Sequence, residues 1–363
     1  MRYLDHNAGT PLHPEVADFL ARAYRSEPAG NPSSVHGAGR AARARLDDAR
    51  ARVARILGRS SREVLFVSSG SEACAMAVLG AGLGGTLVTS ALEHPAVLLA
   101  AERRPGSVIL LAPERDGRVT ESAFVEALSQ AGIGLCALQA ANNETGVVQL
   151  GSSVAALARA RDIPCFVDAV QGPGRIEPGF DADLVAYSAH KFGGPAGVGM
   201  LVVRRGLTLQ PLVPGHQEGG RRGGTPPVVL CEAAALALEL AERGRQAETV
   251  RQERLRDGLE QAVRERIPGV RVNGAGAARL CNTSNICFPG VDGEAVLIGL
   301  DLEGFAVSLG AACASGTMRP SPVLLAMGLT ESEARGSLRI SFGRETTAED
   351  LSALVDALAR RVL

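Results

Sequence analysis

The sequence predicts an α/β fold: a mostly parallel central sheet flanked by helices, followed by a smaller α/β domain. Three observations carry this. Short β-rich runs alternate with longer amphipathic runs as far as Val203, the strand–helix–strand rhythm of a parallel sheet between helical layers. The rhythm then changes after Thr225 to a long alanine-rich stretch followed by shorter strands mixed with helices. At 363 residues the chain is also longer than one hydrophobic core usually serves.

In chain order, Gly37–Leu57 reads as a long helix, because Ala42, Leu46, Ala49, Val53 and Ile56 share one face. Arginines fill much of its other face and read as a solvated surface. Strands are expected at Glu63–Val67, Thr86–Thr89, Ser107–Leu111, Leu135–Gln139, Cys165–Asp168, Leu184–Ser188 and Met200–Val203. Helices are expected at Pro95–Glu102 and Val154–Arg161. Beyond Thr225, Pro226–Arg264 reads as mostly helical. Strands follow at Val270–Val272, Ser284–Phe288 and Ser337–Phe342, with helices at Glu294–Leu300 and Ala348–Leu358.

Composition narrows the function. Hydrophobic residues make up 46% of the chain, and the net charge of −1 offers no broad attraction to nucleic acid or anionic lipid. No apolar run reaches the length of a membrane span, and the opening residues contain no apolar signal core. The expectation is a cytoplasmic protein that binds neither nucleic acid nor membrane. The seven cysteines are scattered without a C-x-x-C pair, so no metal site is expected. Cys136, Cys165, Cys231 and Cys287 lie in apolar stretches and read as small buried hydrophobes.

The basic residues are more telling. Of 38, one is a lysine, Lys191, and the other 37 are arginines. A guanidinium stays protonated and does not condense with an aldehyde, so chemistry that needs a side-chain amine has one candidate. Lys191 sits in Tyr-Ser-Ala-His-Lys-Phe-Gly-Gly-Pro, just past a buried strand, and ligands of open α/β sheets collect at strand carboxyl ends. Partial burial there would lower its pKa and free the amine to attack. Asp168 ends an upstream strand. Alone, an Asp after a strand is more often a turn residue or a helix cap. Paired with the lysine, it is placed to keep a pyridine nitrogen protonated, so that the ring acts as an electron sink. Ser68-Ser69-Gly70-Ser71-Glu72 follows a strand and opens a helix, which makes it a candidate phosphate seat. His94 opens another helix and is placed either to stack on a flat ring or to serve the fold alone.

Together these segments resemble a family. Tyr3-Leu-Asp-His-Asn-Ala-Gly-Thr-Pro11, Asn31-Pro-Ser, Glu93-His94, Asn142-Asn-Glu-Thr-Gly146, Val167-Asp-Ala-Val-Gln171 and Ser188-Ala-His-Lys191 are similar to the NifS/IscS-type cysteine desulfurases, class V aminotransferase relatives of fold type I that carry pyridoxal 5′-phosphate (PLP). The match continues through Arg222-Gly-Gly-Thr225, Ala311-Ala-Cys-Ala-Ser315 and Ser337-Leu-Arg-Ile-Ser-Phe-Gly-Arg344. The resemblance implies that Lys191 carries PLP and later moves the Cα proton of L-cysteine. It implies that Asp168 holds the ring nitrogen, that Gln171 and Asn143 lie near the ring oxygen, and that His94 stacks on the ring. Gly70, Ser71, Ser188 and His190 would hold the phosphate, with Thr225 reaching in from the second subunit of a homodimer. Arg339 would bind the substrate carboxylate, with Asn7 and Asn31 lining the same region. Cys313 would accept the sulfur as a persulfide and pass it to an acceptor such as an iron–sulfur scaffold. Its stretch, Gly-Ala-Ala-Cys-Ala-Ser-Gly-Thr-Met-Arg-Pro-Ser-Pro, lacks apolar periodicity and reads as a loop. The expected division is a large cofactor domain over residues 15–250 and a small domain of residues 1–14 with 251–363.

Several positions depart from the family pattern. Ser-Gly-Ser-Glu stands where Gly-Ala-Thr-Glu is usual, Ala75 where Asn is expected and Gly219 where Arg is common. Housekeeping members of the family carry a longer tail beyond the residue equivalent to Leu363 that helps dock the iron–sulfur scaffold, so the resemblance does not by itself imply that partner. The alternatives are another class V activity (selenocysteine lyase, cysteine C–S lyase or aminotransferase) or a non-catalytic sulfur relay. A dinucleotide oxidoreductase is disfavoured, because no G-x-G-x-x-G follows a first strand.

Overall fold

Runs that are apolar at every position cannot face water on either side, and here they form the middle layer of a sandwich. The computed structural model describes residues 1–26, 30–310 and 319–363. In chain order the elements begin with β1 (Arg2–Tyr3), α1 (Pro14–Ser26), α2 (Gly37–Ile56), β2 (Val64–Val67), α3 (Gly70–Gly80), β3 (Thr86–Ser90), α4 (Pro95–Arg103) and β4 (Val108–Leu111). They continue with α5 (Glu121–Leu128), β5 (Ile133–Gln139), α6 (Gly151–Arg159), β6 (Cys165–Asp168), β7 (Leu184–Ser188), β8 (Gly199–Val203) and α7 (Val228–Arg266). The remainder is β9 (Arg271–Val272), β10 (Thr283–Cys287), α8 (Gly293–Leu302), β11 (Phe305–Ala306), α9 (Pro322–Ala326), α10 (Glu331–Arg335), β12 (Ser337–Ser341) and α11 (Ala348–Val362).

The central sheet has the order β2-β8-β7-β6-β5-β3-β4. Its strands run parallel except β8, which is antiparallel to both neighbours. The pleat sends alternate residues to opposite layers. Val64 and Phe66 join α2, α6 and the start of α7 in one core, while Leu65 and Val67 join α3 and α4 in another. A third core gathers Leu4, the later part of α7, β10, β12 and α11 around a three-stranded sheet of order β12-β10-β9. The first residues belong with this region, because β1 pairs with β11.

The expected strands all form, with ends shifted by a residue or two. The helices α1 and α5 were not anticipated. The arginine face of α2 differs from expectation: it is not simply solvated. Arg45 pairs with Glu232 and Arg52 with Glu239, both on α7, while Arg50 is clamped by Glu218 at 2.7 and 2.8 Å. Among the described residues no helix is long and apolar enough to cross a membrane.

Candidate active site

Three strand ends and one helix start converge on a cavity of about 480 Å³, a size typical of cofactor sites. Asp168 is the last residue of β6, and Ser188 is the last of β7, three residues before Lys191. Asn143 follows the end of β5, and β2 leads into the first turn of α3. The opposite wall comes from Asp5, Asn7 and Ala8, from Arg339 on β12, and from Val307–Gly310. The sheet's carboxyl edge thus provides one wall and the C-terminal region the other, the usual placement in open α/β folds.

Lys191 lies in the short turn after β7. Its Nζ donates to the carbonyls of Asn7 at 2.6 Å and Ala8 at 2.9 Å. Burial, with help from the Arg175 and Arg339 guanidiniums, lowers its pKa from 10.5 to about 8, against the pull of Asp5 and Asp168. The amine is therefore deprotonated far more readily than an ordinary lysine. Asp168 is buried at the cavity wall, where one oxygen accepts from Val170 N–H at 3.0 Å. Burial raises its pKa; Val170 N–H, His94, Cys74 and Lys191 oppose the rise. It lacks an ion-pair partner among the described residues, so a cation bound against it would be strongly favoured.

At the start of α3, Ser69 caps the helix by accepting from Glu72 N–H, and Gly70 N–H donates to Ser188 Oγ at 3.2 Å. Ser188 Oγ also lies 3.0 Å from His190 Nδ1. Burial and the Lys191 charge press the His190 pKa down to about 4, so its ring is neutral near pH 7. Gly70 cannot be larger: a Cβ there would stand 2.8 Å from Val170 Cγ2 and 3.0 Å from Ser188 Cβ. Free N–H groups of a helix start, the exposed Ser71 and two further polar side chains make an anion cradle. His94 caps α4, with Nδ1 accepting from Ala96 N–H at 3.0 Å. In the neutral ring this leaves the proton on Nε2.

Arg339 is buried. Its Nη2 pairs with Asp5 at 2.6 Å, its Nη1 donates to the Asn143 carbonyl at 3.1 Å, and its Nε has no partner among the described residues. Gln171 donates from Nε2 to the Asn7 carbonyl at 3.1 Å.

Other predicted residues are placed differently from the expectation. Asn7 lines the cavity, but its side-chain polar atoms are engaged within the protein. Its Nδ2 donates to Thr283 Oγ1 and the Asn143 carbonyl, its Oδ1 accepts from Asn282, and only its main-chain carbonyl meets Lys191. Asn31 is exposed and off the cavity wall, its Oδ1 accepting from Ser33 N–H in a local turn. Thr225 is likewise exposed and away from this chain's cavity. Cys313 lies outside the described residues. The other six cysteines are buried, and Cys74 is unexpectedly part of the cavity wall beside Asp168. The sequence reading passed over Asp5, although it lies within the Tyr3–Pro11 segment; nothing local announces its pairing with a residue on β12. No cluster of His, Cys, Asp and Glu suited to a metal occurs among the described residues.

The family model for aminotransferase class V matches residues 2–354. The chain belongs to the class V aminotransferase family. It is 38% identical over 370 residues to cysteine desulfurase IscS of Dictyoglomus turgidum, covering 99% of this chain and 93% of that one. It is 40% identical to a cysteine desulfurase of Cereibacter sphaeroides, covering 98% and 94% of the two chains. The solved NifS-like protein of Rickettsia africae superposes with a TM-score of 0.91 at 31% identity, covering 99% of both chains. As a class V aminotransferase relative, the protein depends on PLP. The donor set fits that group on its own terms. A single amine suits the aldehyde, a buried carboxylate without a counter-ion suits the pyridinium, and the Gly70 cradle suits the phosphate.

Proposed function

We propose that the protein is a PLP-dependent cysteine desulfurase that converts L-cysteine to L-alanine and leaves the sulfur on Cys313 as a persulfide. The observation that carries this reading is the placement of the only lysine in one cavity with Asp168 and Arg339. PLP bound there supplies an electron sink for the bonds at the substrate Cα.

Lys191 would hold the cofactor aldehyde through its readily freed amine and, when free, would carry the substrate Cα proton. The Asn7 and Ala8 carbonyls hold that amine when it is free. Asp168 would keep the ring nitrogen protonated, His94 would lie against the ring, and Gln171 and Asn143 would serve its oxygen. Gly70, Ser71, Ser188 and His190 would hold the phosphate, with Thr225 of a second copy completing that end, which makes the working form a homodimer. Arg339 binds the substrate carboxylate by its planar fork. Because Asp5 already occupies one edge of that fork, the substrate must share it.

The Cys313 thiolate attacks the substrate sulfur. An S–S bond forms, the C–S bond breaks with its electron pair passing to the carbon skeleton, and a proton completes alanine. A sulfur-carrying protein, such as an iron–sulfur scaffold, then removes the outer sulfur. We place the protein in the cytoplasm. We also propose that residues 15–250 form the large unit and residues 1–14 with 251–363 the small one, although α7 runs unbroken through residue 250.

The test is product analysis with purified protein, PLP and L-cysteine. Alanine and protein-bound sulfane sulfur should form in equal amounts. C313A should retain the cofactor absorbance and lose the bound sulfur. Full turnover by C313A would favour a lyase or aminotransferase instead.

A further inference from the structure

One basic residue, on a smaller cavity that shares Lys191 with the cofactor site, has no part in the chemistry proposed. Arg175 follows Gln171 by about one helical turn, in the loop between β6 and β7. Its Nη1 donates to both the side-chain oxygen of Gln171 and the Gln171 carbonyl, the latter at 3.3 Å. Its Nη2 donates to the Lys191 carbonyl at 3.3 Å. One guanidinium thus ties together the turn that carries the lysine and the loop that carries Gln171. Among the described residues it forms no ion pair with a carboxylate, although most partly buried arginines of this chain do. A charge held this way is costly to the fold unless it is used.

We propose that Arg175 is a positioning residue for the reactive lysine: its fork fixes the Lys191 turn and Gln171 relative to one another, and its unneutralised charge lies against the Lys191 main chain on a small cavity that the lysine also lines. Two facts agree with the electrostatic half. Arg175 is the strongest charged influence that depresses the Lys191 pKa, and its own pKa is lowered to about 10, chiefly by burial. The other groups acting on Lys191 are Arg339 from β12, Asp5 from the first residues, Asp168 from β6, and His94 and His190. Around Arg175 itself stand His6, Cys281 and Arg339, with Glu248 and Arg344 on the same small cavity behind the lysine. Of the cations acting on Lys191, Arg339 is paired with Asp5, which leaves Arg175 as the unpaired one.

The proposal rests on the reading of Lys191 as the cofactor amine, and its test is separable from that reading. Because Lys191 is the only lysine, ¹³Cε-lysine labelling of the full chain without cofactor gives one side-chain NMR signal, whose shift with pH titrates that amine alone. The wild-type midpoint is expected near 8. In R175M and R175Q it should rise by about one pH unit, since a like charge has been removed. R175K adds a second lysine signal, assigned by its absence from the wild-type and R175Q spectra, and the Lys191 signal itself should keep a midpoint near wild type. In the PLP-loaded chain, the pH midpoint of the cofactor absorption band should move upward in the same two variants. R175Q keeps a hydrogen-bonding amide, so the test survives if R175M fails to reach the wild-type circular dichroism. A midpoint unchanged in the neutral variants, or displaced as far in R175K as in R175Q, overturns the proposal. Failure of the wild-type chain to bind PLP would overturn the functional reading while leaving the NMR titration able to decide the role of Arg175.

Discussion

At Arg339 a buried guanidinium already has one edge occupied, by Asp5 at 2.6 Å, and a carbonyl of Asn143 on its other nitrogen. Lysine keeps the charge but not the fork, so R339K should raise KM for L-cysteine by about tenfold to a hundredfold, the worth of one or two charge-assisted hydrogen bonds. Steady-state kinetics check this, and an unchanged KM would remove Arg339 from the carboxylate site. Glu93 shows a different side of burial. Its Oε1 accepts from the Ser90 hydroxyl at 2.5 Å, its Oε2 lacks a partner among the described residues, and burial pushes its pKa from 4.5 up to about 8. The folded chain therefore keeps a proton that the unfolded chain sheds above 4.5. Stability from this group is complete below that value and is lost as pH rises toward 8. E93Q mimics the protonated form, so its melting temperature should fall less than the wild type's between about pH 5 and pH 8. Parallel melting curves would contradict this.

At the level of elements, the α2 surface is where local pattern misled. The face with Arg45, Arg50 and Arg52 is polar, and polarity alone reads as solvent. Its partners lie far along the chain, on α7 and at Glu218, and no local pattern announces them. Glu218 adopts a left-handed φ of 49°, rare for a residue with a side chain. It holds Arg50 with both oxygens and accepts from Phe66 N–H at 3.1 Å. E218A would strand a largely buried guanidinium and a strand-edge N–H, at a cost of about 3 kcal/mol. Denaturant titration measures this; a loss near zero would show that the pair is merely superficial. The sheet was legible because most of its strands are nearly continuous apolar runs bounded by turn residues. The short helix α5, Glu121–Leu128, was not, because eight residues offer too little periodicity to separate it from a loop.

Across the whole molecule, the cavity depends on a seam of buried amides and hydroxyls between the first residues and β10. Asn282 Nδ2 donates to Asn7 Oδ1 at 3.1 Å and to the Phe342 carbonyl at 3.2 Å, while Asn7 reaches Thr283 and the Asn143 carbonyl. The seam fixes the Asn7 carbonyl that meets Lys191. N282A should therefore cost about 1–3 kcal/mol of stability and also weaken PLP binding, though Asn282 is not among the cavity-lining residues. Absorbance titration beside thermal melting checks both, and wild-type cofactor affinity in a destabilised N282A would break the link. Lys191, Asp168 and the α3 turn were legible, because residue type, strand end and order in the chain suffice to find them. Asp5, Arg175 and this seam were not, because each acts through a partner brought near only by the tertiary fold.

That the chain holds a single lysine has a practical side. For any amine-directed reagent, whether a coupling resin, an ester dye or a cross-linker, the protein offers one side-chain target, and it is the cavity residue proposed to carry the cofactor. Such treatments would act here as active-site poisons rather than surface labels, and saturation with vitamin B6 coenzyme beforehand would shield the protein from them.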